Sequence, residues 1–323
     1  VSRAWALRAL LAALLAFASE AVLWTTAHTR PPFEWLVLAL AYPALAALLL
    51  DLAARWRLRD LFGLLALAGV YGLLNAALLN PEAAFADFPR TLFTRALGGQ
   101  ALMGLIALAW WLRLTDPRAR PFTIGYAGIA LAIGLVGGFW ARWSPGVFVG
   151  GDETPLLSIG VVYSLLALLT WVAAQRIPAS DPPPDLASLR LGRAGGAFVA
   201  VTLVAVGGAQ IAAGRLDGVQ ITTVALFALF CAGVVWFQRR KTGATLLDGR
   251  TRPASPRAML LLHAIGGAGV IIGALLPRGA EGDTDPLALI AVLLTAYGLV
   301  WLPMVAFVLG AREFTRLSRA MRL

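Results

Sequence analysis

The chain has 323 residues, 59% of them hydrophobic and only 14% charged, with a net charge of +10. Soluble domains carry about 45–50% and 25% of these classes, so too few polar side chains exist to cover a water-facing surface, and lipid is the expected solvent. One cysteine, Cys231, excludes a disulfide framework. The basic residues flank apolar runs rather than forming one block, which fits anionic lipid headgroups and argues against nucleic acid as a partner.

Apolar runs of bilayer-crossing length fall, in chain order, at Ala9–Thr26, Phe33–Ala53, Leu61–Asn80, Ala96–Leu114 and Phe122–Ala141, then at Pro155–Gln175, Gly195–Gly214, Val219–Gln238, Ala258–Leu276 and Pro286–Gly310. The expected architecture is an all-α, polytopic integral membrane bundle of about ten helices, one transmembrane domain over residues 1–323 without a soluble domain. The first run is too long for the apolar core of a signal peptide and lacks a small-x-small exit, so it reads as a membrane helix and not as a removable leader. Turn chemistry separates the runs at Arg30-Pro31-Pro32, Asn80-Pro81, Asp116-Pro117, Pro182-Pro183-Pro184 and Asp285-Pro286. Pro43 and Pro303 are expected to kink the second and tenth spans.

Arginine and lysine set the direction of these spans. Twenty-one of the 27 fall at the two termini and in the loops after the even-numbered spans, and six fall in the other loops. The positive-inside rule then places both termini in the cytoplasm, with the chain in the cytoplasmic (bacterial inner) membrane and the number of helices even. Ten of the 11 tryptophans lie near span ends, as headgroup-level aromatic belts require, and Trp301 alone lies well inside a span.

The long loops are cytoplasmic. Arg176–Ala194 carries a stiff proline-rich stretch, and Arg239–Arg257 carries six basic residues that suit a headgroup anchor. Outside, Asn80–Arg95 has Phe85, Phe88 and Phe93 at near-helical spacing, so it reads as a short interfacial helix: a headgroup-level connector first, a flap over an opening second. Gly151-Asp152-Glu153-Thr154-Pro155-Leu156 resembles Gly282-Asp283-Thr284-Asp285-Pro286-Leu287 four spans later. Ordinary capping explains the pair better than duplication, and the spacing fits no Ca²⁺ loop.

Polar residues within the spans are the candidate functional groups. Glu20, about two-thirds of the way out along the first span, stands where a charge costs ~2.5–3.5 kcal/mol on insertion scales. Arg95 and Arg142, at outer ends of the fourth and fifth spans, are its candidate cations. Asn75, Gln100 and Gln210 lie in the outer halves of their helices, either converging with Glu20 on a polar pocket or acting singly as glue between helices. His263 is the one histidine inside a span, near its cytoplasmic end; a packed ring is the first reading and a proton relay the second. Glycines at 134, 137, 138, 207, 208, 266, 267, 269 and 273 mark close crossings, and small residues favour odd-numbered spans from the third onward, which are expected to form the inner layer.

Absent chemistry narrows the function. The only lysine, Lys241, is in a loop, which excludes a retinal Schiff base within a span, and two histidines on opposite sides cannot make an intramembrane haem site. No HExxH, CxxC, GxSxG or Walker A sequence occurs, so an enzyme is the weakest class and no cofactor or metal is expected. A secondary transporter or permease for a small solute, with an extracytoplasmic polar pocket, is the leading reading. Ten spans in about 300 residues with both ends cytoplasmic resembles the layout of the drug/metabolite transporter superfamily, in layout only, since no motif of that family occurs. The alternative is a non-catalytic membrane subunit of a respiratory or photosynthetic complex. The expected partners are membrane lipids, then a small solute or other complex subunits.

Overall fold

The computed structural model describes residues 3–23, 30–116, 123–145, 152–177, 186–240, 242–250, 256–278, 285–300 and 306–321. No strand occurs among them, and nine helices are long and apolar enough to cross a membrane. Lipid offers no hydrogen bonds to the backbone, so each crossing must close its own N–H and C=O groups, which helices do. The protein is therefore an all-α, multi-pass membrane bundle. A shorter apolar helix, Pro286–Val300, begins the tenth expected span. The rest of that span, including Pro303 and Trp301, lies partly outside the described residues.

The chain divides into two compact units built from interleaved segments. One comprises 1–43, 109–184 and 249–292; the other comprises 44–108, 185–248 and 293–323. The first division falls at Pro43, inside helix α2 (Pro32–Arg55), where proline removes one ladder hydrogen bond.

In the first unit, helix α1 (Arg3–Ala16) continues as a wide π-helical segment, Phe17–Val22. It packs with α6 (Ile124–Ser144), α7 (Leu156–Gln175) and α10 (Pro256–Leu275). The closest crossing joins α6 and α10. A Cβ on Gly134 would strike the Gly266 carbonyl and one on Gly138 the Val270 carbonyl, while Gly269 and Gly273 abut the carbonyls of Leu131 and Leu135. The partners advance in the same sense along both helices, so the pair is parallel. Gly137 takes the next neighbour: its Cβ position lies 3.0 Å from the Val22 carbonyl, so the wide segment also leans on α6. Backbones approach this closely only where side chains are absent. Trp111, in the last turns of α5 (Ala101–Leu114), is fully buried and donates its indole N–H to the Leu7 carbonyl at 3.0 Å. It is a packing tryptophan and not part of a lipid-facing belt.

In the second unit, α3 (Leu61–Leu78) is the hub. The short helix α4 (Pro81–Phe85), a π-helical segment Leu92–Gln100, α8 (Arg193–Ala212), α9 (Gly218–Phe237) and α12 (Ala306–Ala320) all pack on it. Asp60 caps α3, its carboxylate accepting the Gly63 N–H at 2.9 Å. Leu73, Ala84, Phe85, Leu92, Leu97 and Val224 share one apolar cluster, against which Phe88 and Phe93 pack. The expected helix in the 80–95 loop thus exists as α4, folded into the core as a connector. The basic loop after α9 is tied to the protein itself: Leu246 donates to the Leu58 carbonyl at 2.7 Å, and Arg59 donates to the carbonyls of Gln238 and Gly243.

One expectation about layers fails. The seventh span, Leu186–Ala212, is the most exposed, with 6% of its apolar window buried against 78% for α3. Cβ atoms on Gly196 and Gly208 would meet nothing within 4 Å. Gly207 does meet the Leu78 side chain, its Cβ position lying 3.2 Å away, but the rest of the span is largely uncovered, so small-residue content alone does not place a span inside. The capping reading holds at the tenth span, where Asp285 accepts the Leu287 N–H at 2.9 Å. At α7 the residue before the helix is Pro155, which makes no side-chain cap, and Glu153 is engaged elsewhere.

Gly138→Ala should overpack the α6–α10 crossing and cost about 1–3 kcal/mol. Gly208→Ala on α8 should stay within ~0.5 kcal/mol of the parent. Thermal unfolding of the two variants in detergent, side by side, measures the contrast.

Candidate functional site

At Phe17–Val22 the first crossing helix widens: the Leu23 N–H reaches back five residues to the Ala18 carbonyl at 3.1 Å. Such π-turns are rare and recur at functional sites. This one carries Glu20, which is fully buried. One carboxylate oxygen accepts the Tyr42 hydroxyl at 2.6 Å, and the other lies 3.4 Å from the Arg30 guanidinium. Arg30 is shared, its second nitrogen standing 3.4 Å from Glu34 in the first turn of α2. Burial works to lower the Arg30 pKa, but the electrostatic pull of Glu20, Tyr42 and Glu34 outweighs it and holds the group above its ordinary value. Arg30 is therefore cationic at every accessible pH.

Glu20 is thus met by a different cation from the two expected. Arg142 binds Glu153 at 2.7 Å and the Thr154 carbonyl at 2.5 Å, and the Thr154 N–H returns to the Arg142 carbonyl at 3.1 Å. It fastens the chain ahead of α7 to the last turn of α6. Arg95 belongs to the other compact unit and is buried there. Arg30 and Tyr42 were missed because Arg30 sits before Pro31-Pro32, where it reads as turn chemistry, and Tyr42 lies 22 residues beyond Glu20 inside an apolar run.

The remaining polar candidates separate by unit. Asn75, Arg95, Gln100 and Gln210 lie in the second unit, while Glu20, Arg142 and His263 lie in the first. Asn75 donates to the Tyr71 hydroxyl at 3.0 Å and accepts from Asn80 at 2.8 Å. Gln210 donates to the Leu78 carbonyl at 2.7 Å, which ties α8 to the end of α3. Gln210 thus acts as glue between helices, whereas these Asn75 bonds are local, to its own helix and to the residue just before α4. Gln100 differs: it is 2% exposed, and neither polar atom of its amide has a hydrogen-bond partner. It closes the second wide segment, Leu92–Gln100, which also holds Arg95. In an ordinary α-helix residues five apart point about 140° away from each other. The i→i+5 register of a π-helix instead sets them one turn apart on a common side.

His263, on α10, is buried and bonded at both ring nitrogens, to the Met259 carbonyl at 2.8 Å and the Thr170 hydroxyl at 2.9 Å. Among the described residues, no group of three or more His, Cys, Asp or Glu side chains could hold a metal ion. No protein-family model, curated protein or solved structure matches the chain. The resemblance to a transporter layout accordingly rests on span number and charge pattern.

Removing one partner of a buried ion pair typically costs about 3–5 kcal/mol. Arg30→Gln should therefore destabilise the protein strongly, and Glu20→Gln combined with it should restore most of the loss. Tyr42→Phe should cost about 1.5–3 kcal/mol, the worth of a hydrogen bond to a charged group. Unfolding midpoints of the parent, Arg30→Gln, Glu20→Gln and the double variant, read as a double-mutant cycle with Tyr42→Phe measured alongside, provide the check.

Proposed function

We propose that the protein is a secondary transporter for a small solute, lying in the cytoplasmic membrane with both termini on the cytoplasmic side. The observation that carries this reading is Glu20: a buried carboxylate on a widened turn of a crossing helix, held by one hydroxyl and one shared guanidinium. A purely structural helix gains nothing from a charge whose insertion costs ~2.5–3.5 kcal/mol. In secondary transporters, ion and substrate sites sit on interrupted helices, where freed backbone groups and inward polar side chains meet the cargo. Two such interruptions, Phe17–Val22 and Leu92–Gln100, carry the buried polar residues Glu20, Arg95 and Gln100. Sidedness is supported by the segregation of arginine described above.

In this reading Glu20 is the coupling group. Arg30 holds it when the site is empty, and its 3.4 Å separation leaves a pair that a proton or substrate cation can displace. Arg30 then remains paired with Glu34.

A second reading is favoured by one specific feature, the exposure of most of the seventh span. A non-catalytic subunit of a larger membrane complex would present such a helix to a neighbouring chain.

The test is gentle purification followed by reconstitution in liposomes. A panel of small solutes is first ranked by thermal stabilisation, and uptake of the best stabiliser is then driven by an imposed pH gradient. Transport predicts accumulation that drops at least tenfold in Glu20→Gln, with the folded protein retained. Stoichiometric partner chains, and no solute that stabilises, would favour the subunit reading instead.

A further inference from the structure

We propose that His263 is a proton-binding site with two fully hydrogen-bonded charge states, the change between them being made by rotation of the Thr170 hydroxyl. The inference comes from counting protons. The ring nitrogen Nδ1 lies 2.8 Å from the Met259 carbonyl, and a carbonyl can only accept, so Nδ1 carries a proton in every state. The other nitrogen, Nε2, lies 2.9 Å from Thr170 Oγ1. Oγ1 lies 2.7 Å from a second acceptor, the Ala167 carbonyl one turn back on α7. The hydroxyl has one proton and two places to send it.

If Oγ1–H points to Nε2, the ring is neutral in the Nδ1–H form, and the Ala167 carbonyl is relieved of the side-chain bond. If Oγ1–H points to Ala167, Oγ1 accepts, and Nε2 must supply the proton. Both ring nitrogens then carry hydrogen, and the imidazole is a cation. An incoming proton adds to the Nε2 lone pair as the Thr170 hydroxyl swings away, with no other heavy-atom partner exchanged. Burying an imidazolium costs solvation of the charge, and costs most where an N–H also lacks an acceptor; here each N–H has one. In the arrangement observed, Oγ1 is within hydrogen-bond distance of both the Ala167 carbonyl and Nε2, as the exchange requires.

The surroundings hold the ring in this register. The Tyr163 hydroxyl donates to the His263 carbonyl at 2.8 Å. The Phe17 ring packs edge-on against both His263 and Tyr163, at 4.9 and 5.0 Å between centroids. Gly266 and Gly267 leave the space that Tyr163 fills, since a Cβ on Gly267 would lie 3.0 Å from its ring. The titratable and charged groups on the elements packed around the site are few. They are Tyr163 on α7, Tyr126 on α6 with Arg113 bonded to it, Arg142 in the last turn of α6, Glu20 beyond Phe17 on the wide segment, Arg3 and Arg8 on α1, and Arg257 in the first turn of α10 itself. Glu20 is the one carboxylate among them, and it is bound to Tyr42 and Arg30. The proposal is independent of the transport reading, because it concerns equilibrium protonation.

The chain has only two histidines, His28 and His263. Full-length protein carrying His28→Gln and ¹⁵N-labelled histidine therefore gives the ring of His263 alone. Its two nitrogen resonances, followed in lipid nanodiscs from about pH 4 to pH 9, across the range in which histidine ordinarily titrates, report tautomer and charge. The expected neutral form is the Nδ1–H tautomer, converting reversibly to imidazolium on acidification. Thr170→Val should lower the midpoint by about one pH unit or more, because the charged ring loses a charge-assisted bond roughly twice as strong as the neutral one. Thr170→Ser should keep the midpoint within a few tenths of a unit. A ring that stays neutral to the acid limit, or a neutral form protonated on Nε2, overturns the proposal. So does a midpoint unmoved by Thr170→Val; should that variant fail to fold, the tautomer of the parent and the Thr170→Ser titration decide the matter.

Discussion

Where α6 and α10 cross, glycines let one backbone lie on the other, and much of the first unit takes its position from that contact. Gly134 and Gly138 meet Gly266 and Val270, and Gly269 and Gly273 return the contact against Leu131 and Leu135. In lipid no hydrophobic effect drives helices together, so close backbone packing must supply the attraction. The same crossing leaves Gly137 facing Val22, which seats the wide segment bearing Glu20, and it sets the height at which His263 meets Phe17. Packing and polar chemistry are thus linked: the glycines place the widened turn, and the widened turn carries the charge.

Buried polar groups are then met one at a time by nearby partners. Asp51, at the end of α2, accepts the Leu191 N–H at 2.7 Å and the Arg55 guanidinium at 2.6 Å, so that one carboxylate anchors the loop ahead of α8. Glu20 has Tyr42 and Arg30, Arg142 has Glu153, and His263 has Met259 and Thr170. Gln100 departs from this pattern, with both amide atoms buried and unbonded, as do the Thr154 and Tyr297 hydroxyls. A buried unsatisfied polar group costs about 1–3 kcal/mol.

The helices were legible in the sequence because their signal is additive over some twenty residues. Their ends were less so, and the errors share a cause. The first span begins at Arg3, not Ala9, because Arg8 is buried with its guanidinium over the Trp5 ring at 4.8 Å. The fourth begins at Leu92, not Ala96, because Arg95 is inside the bundle. Hydropathy charges each arginine its full cost in lipid, whereas a folded bundle supplies rings and acceptors that the linear pattern does not show. The site was legible only in its centre. Glu20 stood out as an acid in hydrocarbon, but Tyr42 and Arg30 come to it through the turn between two helices, and the i→i+5 register that sets Arg95 and Gln100 on a common side leaves no mark on an α-helical wheel. Glycine content located the α6–α10 crossing correctly and misplaced the seventh span, since the same residues serve close packing and mere tolerance of lipid.

The parallel crossing of α6 and α10 is tested most directly by asking on which side of the membrane their distal ends emerge. Native Cys231 is buried, so single cysteines can be introduced beside it. In sealed vesicles, an impermeant maleimide should modify Asp152→Cys, after α6, and Asp283→Cys, after α10, from the same face. Ser180→Cys, beyond one further crossing by α7, should react only from the other. Labelling of Asp152→Cys and Asp283→Cys from opposite faces would contradict the parallel pair, and with it the seating of Glu20 and His263.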